Sequence, residues 1–288
     1  MDYFHLGLPS VLSSVYEQEV VASLRITRYL IGTWCLLSTM EWVSNLHLFR
    51  GDGLLSWRIL SLRSGLFLRG TSIESIFWDS SIGWVLGIRT AAAIGLIATA
   101  SAPWNCVALL AIIATSWFLR ERSWLGEDGS DQMGQIASIG ALLISAGIAL
   151  NELALSLSGT LLIAGQLSIA YFFAGFSKLL SSDWRDGRAL VGVMGTHSYG
   201  HPLGARACSL TSVIPLCLCW SVIIGETVFP LAVFASHGFV SYILAAYFLF
   251  HLSHAYLMGL NTFVWAFAAA YPSFILLSHI VTATIGLR

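Results

Sequence analysis

Eight times in 288 residues this chain runs for about twenty positions with almost no charge, and that repetition limits the folds open to it. A bilayer core of about 30 Å is crossed by roughly 20 helical residues. In hydrocarbon every backbone N–H and C=O needs a protein partner, and a helix supplies them within its own segment. The reading is all-α, a polytopic transmembrane helical bundle. Spans are expected near 26–47, 80–100, 104–119, 132–150, 154–178, 208–234, 238–260 and 262–285. Only Gly259 to Asn261 separates the last two, so seven and eight spans both fit.

Composition agrees: 57% of residues are hydrophobic and 10% charged, with a mean hydropathy of +0.78, against roughly 25% charged residues in a soluble domain. The polar stretches at 48–80 and 181–207 are loops with room for a short interfacial helix, so a single integral-membrane domain over 1–288 is expected. The first residues carry Asp2, Glu17 and Glu19 and no basic cluster, so the first span itself is expected to direct insertion. A net charge of −1 gives no basis for nucleic-acid binding. The partners that composition implies are membrane lipids. Five cysteines fall mostly in apolar runs and read as reduced, buried thiols; Cys217 and Cys219, two apart, would face opposite ways on a helix.

Charge within or beside the spans is where function is sought, because ionised groups at membrane depth are costly unless paired or used. Lys178, at the end of the fifth span, is the only lysine in the chain. Every other basic side chain is an arginine, which keeps its proton, so Lys178 is the one amine that burial could turn into a base. Snorkelling to the interface is the alternative for it. Trp184-Arg185-Asp186-Gly187 follows, and the segment 184–190 is expected to be one short interfacial helix. Trp184 and Leu190 would point inward and Arg185 and Arg188 outward, with Asp183 or Asp186 pairing locally with Arg188.

Glu41, Arg89 and Glu226 are further span charges, expected to gather in a buried polar cluster. His197 and His201 are four apart, and His251 and His254 three apart, which on a helix places each pair on one face. Without carboxylates at matching spacing they suggest a relay rather than a metal site, and no metal is predicted. Asp131, in the acidic run 126–131, is expected to cap the fourth span, and Asp52 lies in the glycine-flanked turn Phe49 to Trp57. The connections after spans one, three and five hold most arginines, but also many carboxylates. The positive-inside rule is therefore weak here, and this face reads as a mixed-charge functional one.

The series FRGDGLLSW, an arginine in span two, GEDGSD, QLSIAYFFAGFSKLLSSDWRDGRAL, ETVFPL and FHLSHAYLMGLNTF resembles the HTTM family. That family is the transmembrane module shared with vitamin K-dependent gamma-carboxylase, and the resemblance covers roughly residues 25 to 270. It implies an enzyme of a bacterial cytoplasmic membrane working with a membrane quinol or on a peptide. Lys178 would be the base that starts oxidation of the reduced quinone, His251 the histidine of the late helix, and Asp131 a third catalytic group. Trp184, Arg185, Gly187, Glu226, Asp52 and His254 would line the substrate. The asparagine–histidine pair that accompanies epoxidation in the animal carboxylase has no counterpart around 126–132, which speaks against glutamate carboxylation. The family also contains a factor that matures a secreted toxin peptide, so a maturation or export factor without redox chemistry is a second reading. A non-catalytic subunit of a larger membrane complex is a third. Lys178, Asp131, His251 and Glu226 are expected to converge on one cavity.

Overall fold

The computed structural model describes residues 10–62, 77–123 and 128–286, and every regular element among them is helical. Eight of the described helical segments are long and apolar enough to cross a bilayer: Tyr16–Ser44, Ser81–Ala98, Ala102–Arg122, Gly129–Leu150, Leu153–Leu180, Val213–Phe234, Gly238–Met258 and Asn261–Thr284. Ile88 and Leu110 point outward from the middle of their spans, and Val107 and Phe173 from nearer the ends of theirs, as side chains facing acyl tails do. The protein is a multi-pass integral membrane protein. Arg63, Arg69, Glu74, Gly126, Glu127 and Arg288 lie outside the described residues.

Contacts divide the chain into two compact units, Met1–Thr160 and Leu161–Arg288. In the first, α1 (Ser10–Ser44) is followed by the single turn α2 (Trp57–Leu60), then α3 (Ser81–Ala98), α4 (Ala102–Arg122) and α5 (Gly129–Leu150). The four long helices form a ring in which α3 packs on α1 and α4, and α5 on α4 and α1. Trp34, Ile31, Leu96, Leu109, Ile112 and Met133 fill its centre. Helix α1 begins well before the expected span, because Glu17, Glu19 and Arg25 halt hydropathy but not helix formation.

Two buried arginines tie this unit together. Arg28 donates from Nη1 to the carbonyls of Leu96 (2.6 Å), Ile97 (3.1 Å) and Thr99 (2.6 Å), closing the C-terminal end of α3 where carbonyls have no helical partner. Arg122, fully buried, donates from Nη2 to the Leu55 carbonyl (3.0 Å) and pairs with Asp79 (2.8 Å). Asp79 also accepts the Trp57 N–H at 2.7 Å, so one carboxylate anchors the return of the 49–57 turn and neutralises the arginine. The remaining guanidinium edges face the Phe49 and Trp57 rings, at 5.4 and 5.5 Å. Asp79→Ala would leave a buried charge without its counter-charge, and a loss of about 3 kcal/mol is expected. A fall in the thermal midpoint of the detergent-solubilised protein, smaller in Asp79→Asn, checks this; an unchanged midpoint in Asp79→Ala would show the clamp to be idle.

The second unit begins within α6 (Leu153–Leu180) and continues through α7 (Ser182–Arg185), α8 (Arg188–Met194), α9 (Pro202–Leu210), α10 (Val213–Val228), α11 (His237–Met258), α12 (Asn261–Ala268) and α13 (Tyr271–Thr284). A 3-10 segment, Phe229–Phe234, follows α10 where Pro230 removes a backbone donor. The last span breaks between α12 and α13, just before Pro272. Phe229, Tyr171, Tyr247, Phe267 and Phe274 form the aromatic centre, with Tyr171 and Phe229 ring centroids 4.4 Å apart.

Candidate functional site

Helix α6 ends in a lysine, and a cation in the last turn meets the negative end of the helix dipole. Lys178 is a fifth exposed by side chain and does not snorkel away: its Nζ lies 2.6 Å from Oε2 of Glu226, whose side chain is 8% exposed. The ammonium also donates to the Ala174 carbonyl at 3.3 Å and sits 5.2 Å from the Trp184 ring centroid. Gly175, one turn before Lys178, makes the contact possible. A Cβ there would stand 2.8 Å from Cβ of Glu226 and 2.6 Å from the Thr227 hydroxyl, so only glycine lets α6 lie this close to α10.

The segment after Lys178 folds over the ends of these two helices. The single interfacial helix expected at 184–190 is two pieces, α7 and α8, parted at Asp186 and Gly187. Gly187 has φ of 78°, a left-handed conformation that a side chain disfavours, and its Cα faces the Leu216 backbone. The Trp220 indole donates to the Arg185 carbonyl at 3.1 Å, fixing the turn to α10. Trp184 and Leu190 are half-buried while Arg185 and Arg188 are exposed, as the amphipathic reading requires. Arg188 pairs with both Asp183 and Asp186 at 3.0 Å, among exposed partners. The glycine turn thus places Trp184 over the lysine.

On α11, Tyr247, His251 and His254 follow a spacing of four and three and share a face. His251 is buried, its Nε2 2.7 Å from the Tyr171 hydroxyl. His254 directs Nδ1 at the Phe250 carbonyl (2.7 Å), and since a carbonyl only accepts, Nδ1 carries the proton and Nε2 is the acceptor. The Tyr271 hydroxyl is buried close to that of Tyr171 but without hydrogen-bond geometry. Tyr171 itself was not singled out from sequence. The signal was present, because 171, 175 and 178 recur on one face of α6.

Other expectations resolve differently. The α5 cap is Asp128, whose Oδ1 accepts from the N–H groups of Ser130 (2.8 Å) and Asp131 (2.9 Å); Asp131 lies in the first turn, within the first unit. Two aspartates three apart both fit a cap by pattern, and only the extended backbone at 128 decides between them. His197 lies in a turn, and His201 caps α9 through Nδ1 (3.2 Å to the Leu203 N–H), so these two share no helical face. Glu41 is exposed near the end of α1 and stays out of the buried charge set, while Asp52 is exposed in its turn. Cys217 is exposed and Cys219 buried, facing apart as their spacing requires. Among the described residues no three His, Cys, Asp or Glu side chains gather as metal ligands would.

No family model, curated protein or solved structure matches the chain. A lysine Nζ and a glutamate oxygen 2.6 Å apart share one hydrogen bond along which a proton can pass.

Proposed function

We propose that this chain is a membrane-embedded enzyme of the gamma-carboxylase-like HTTM type, in a bacterial cytoplasmic membrane, with Lys178 as its base. The observation that carries this reading is the 2.6 Å contact between Lys178 and Glu226. An amine serves as a base when it is free of its proton at rest and its ammonium is stabilised once formed. Glu226 meets the first need by holding the pair's one proton while Nζ is a free amine, and the Ala174 carbonyl, 3.3 Å away, helps to meet the second by accepting from the ammonium. Trp184 adds the face of an indole to the same ammonium.

The residues fit a membrane quinol in kind. A flat aromatic ring would be held against Trp184 with a hydroxyl toward Nζ of Lys178, which remains partly exposed. When bound, such a quinol supplies an acidic phenol and, with dioxygen as oxidant, the redox chemistry. The protein's share is to accept the phenolic proton at Nζ, to hold the resulting charge beside Glu226, and to limit water through Trp184 and the α7–α8 turn. Tyr171 and His251, hydrogen-bonded within the aromatic centre, offer a second proton-exchanging pair.

Proteoliposomes containing the purified protein and a reduced quinone, followed with an oxygen electrode, test the reading. Quinol-dependent oxygen uptake above that of protein-free liposomes is expected, and Glu226→Gln should lower it by about 100-fold through loss of the proton partner. Uptake equal to the protein-free background would remove quinol chemistry and leave the peptide-maturation and structural-subunit readings.

A further inference from the structure

The first unit holds a pocket that the lysine site does not use. Its wall includes Trp34 and Ser38 of α1, Arg89 of α3, Ser116 and Arg120 of α4, and Asp131 of α5. The enclosed space is about 20 Å³, enough for one water molecule or the head of one small anion. Arg89 stands halfway along α3 and is 1% exposed. Its Nε donates to the Thr39 hydroxyl (3.2 Å), and its Nη1 to the Ser116 hydroxyl and the Ile112 carbonyl (3.5 Å). All of these are neutral acceptors, and the guanidinium carbon lies 5.2 Å from the Trp34 ring. Among the described residues Arg89 makes no ion pair and its Nη2 no hydrogen bond. Trp34, also 1% exposed, has an indole N–H with no acceptor.

A guanidinium at mid-membrane with neutral partners is costly, and the usual remedy is an anion. Two arginines against one aspartate give the pocket a net positive wall. We propose that this pocket binds a carboxylate, held by Arg89 at its floor. A carboxylate has two oxygens for the two donors left without acceptors at this wall, Nη2 of Arg89 and the Trp34 indole N–H, which a monatomic ion does not. Asp131 is half-buried and so lies nearer the mouth than the fully buried Arg89 and Trp34. Its negative charge opposes an incoming anion and makes entry selective for small groups that reach the floor. The carboxylate belongs to a free small acid or to a fatty acid of the bilayer; the bound group is the same, and the test separates the two. The site shares no residue with Lys178 and its neighbours, so it stands or falls separately from the lysine-base reading.

Carbon-14 formate binding to the protein in nanodiscs is the direct test. Saturable binding is expected, weakened at least about tenfold in Arg89→Lys, which keeps the charge but loses the planar Nη2 donor. Asp131→Asn should tighten binding severalfold, and this variant decides the matter if Arg89→Lys does not fold. Displacement of formate by myristate would identify the acid as a lipid product; displacement by acetate and not by myristate would identify a soluble acid. No saturable binding of formate or myristate to the wild type overturns the proposal, as does binding indifferent to both substitutions.

Discussion

Lys178→Arg is expected to abolish quinol-dependent oxygen uptake, by about 100-fold or more, in a protein that still inserts and folds. Arginine keeps a positive charge and donors for Glu226, so the ion pair between α6 and α10 persists, but it does not give up its proton near neutral pH. Alanine would be less informative, since it removes the base and leaves the Glu226 carboxylate buried without a partner. The comparison needs two measurements on each protein, oxygen uptake and the thermal midpoint. Uptake within about threefold of wild type at an unchanged midpoint would reduce Lys178 to a structural cation and end the base mechanism.

Gly175→Ala is expected to damage the protein more than its single methyl suggests. The added carbon would meet the Thr227 hydroxyl at 2.6 Å and, closer still, the Thr227 backbone nitrogen, which has no rotamer with which to retreat. Helices α6 and α10 would have to separate, at a cost of about 3 kcal/mol, and the Lys178–Glu226 contact one turn away would lengthen with them. Both the thermal midpoint and the oxygen uptake should fall. Gly165, on the same helix, has nothing within 4 Å of an added Cβ, so Gly165→Ala should leave the midpoint unchanged or raised. Equal behaviour of the two alanine variants would mean that the helices can part without loss.

The eight spans are legible in the sequence because one quantity, apolar length, governs both insertion and helix formation. Their limits are less so. Hydropathy reports what tolerates lipid, whereas α1 runs on through Glu17 and Glu19 because nothing there breaks a helix. The breaks before Pro272 and around Pro230 are written in the proline positions but are masked by unbroken hydrophobicity. Among the charges within spans, the expense of Lys178, Glu226 and Arg89 is plain from residue type and place. Which of them pair is not, because 48 residues separate Lys178 from Glu226 and no local spacing encodes that distance. The same holds for the clamp between Arg122 and Asp79, 43 residues apart, and for the Tyr171 and His251 pair. Short-range features fared better: Arg188 finds Asp183 and Asp186, and Trp184 turns inward, because a single turn of chain sets both.

Helix α6 has 28 residues, which at about 1.5 Å per residue is about 42 Å of rod in a hydrocarbon layer of about 30 Å. It must lean or protrude. Lys178 stands two residues from the end of that rod, so the lean sets its depth. Upright, the lysine emerges among headgroups and water; tilted, it sinks with Glu226 toward the acyl chains. The lean of α6, which the thickness of the surrounding bilayer governs, thus sets how much water reaches the pair.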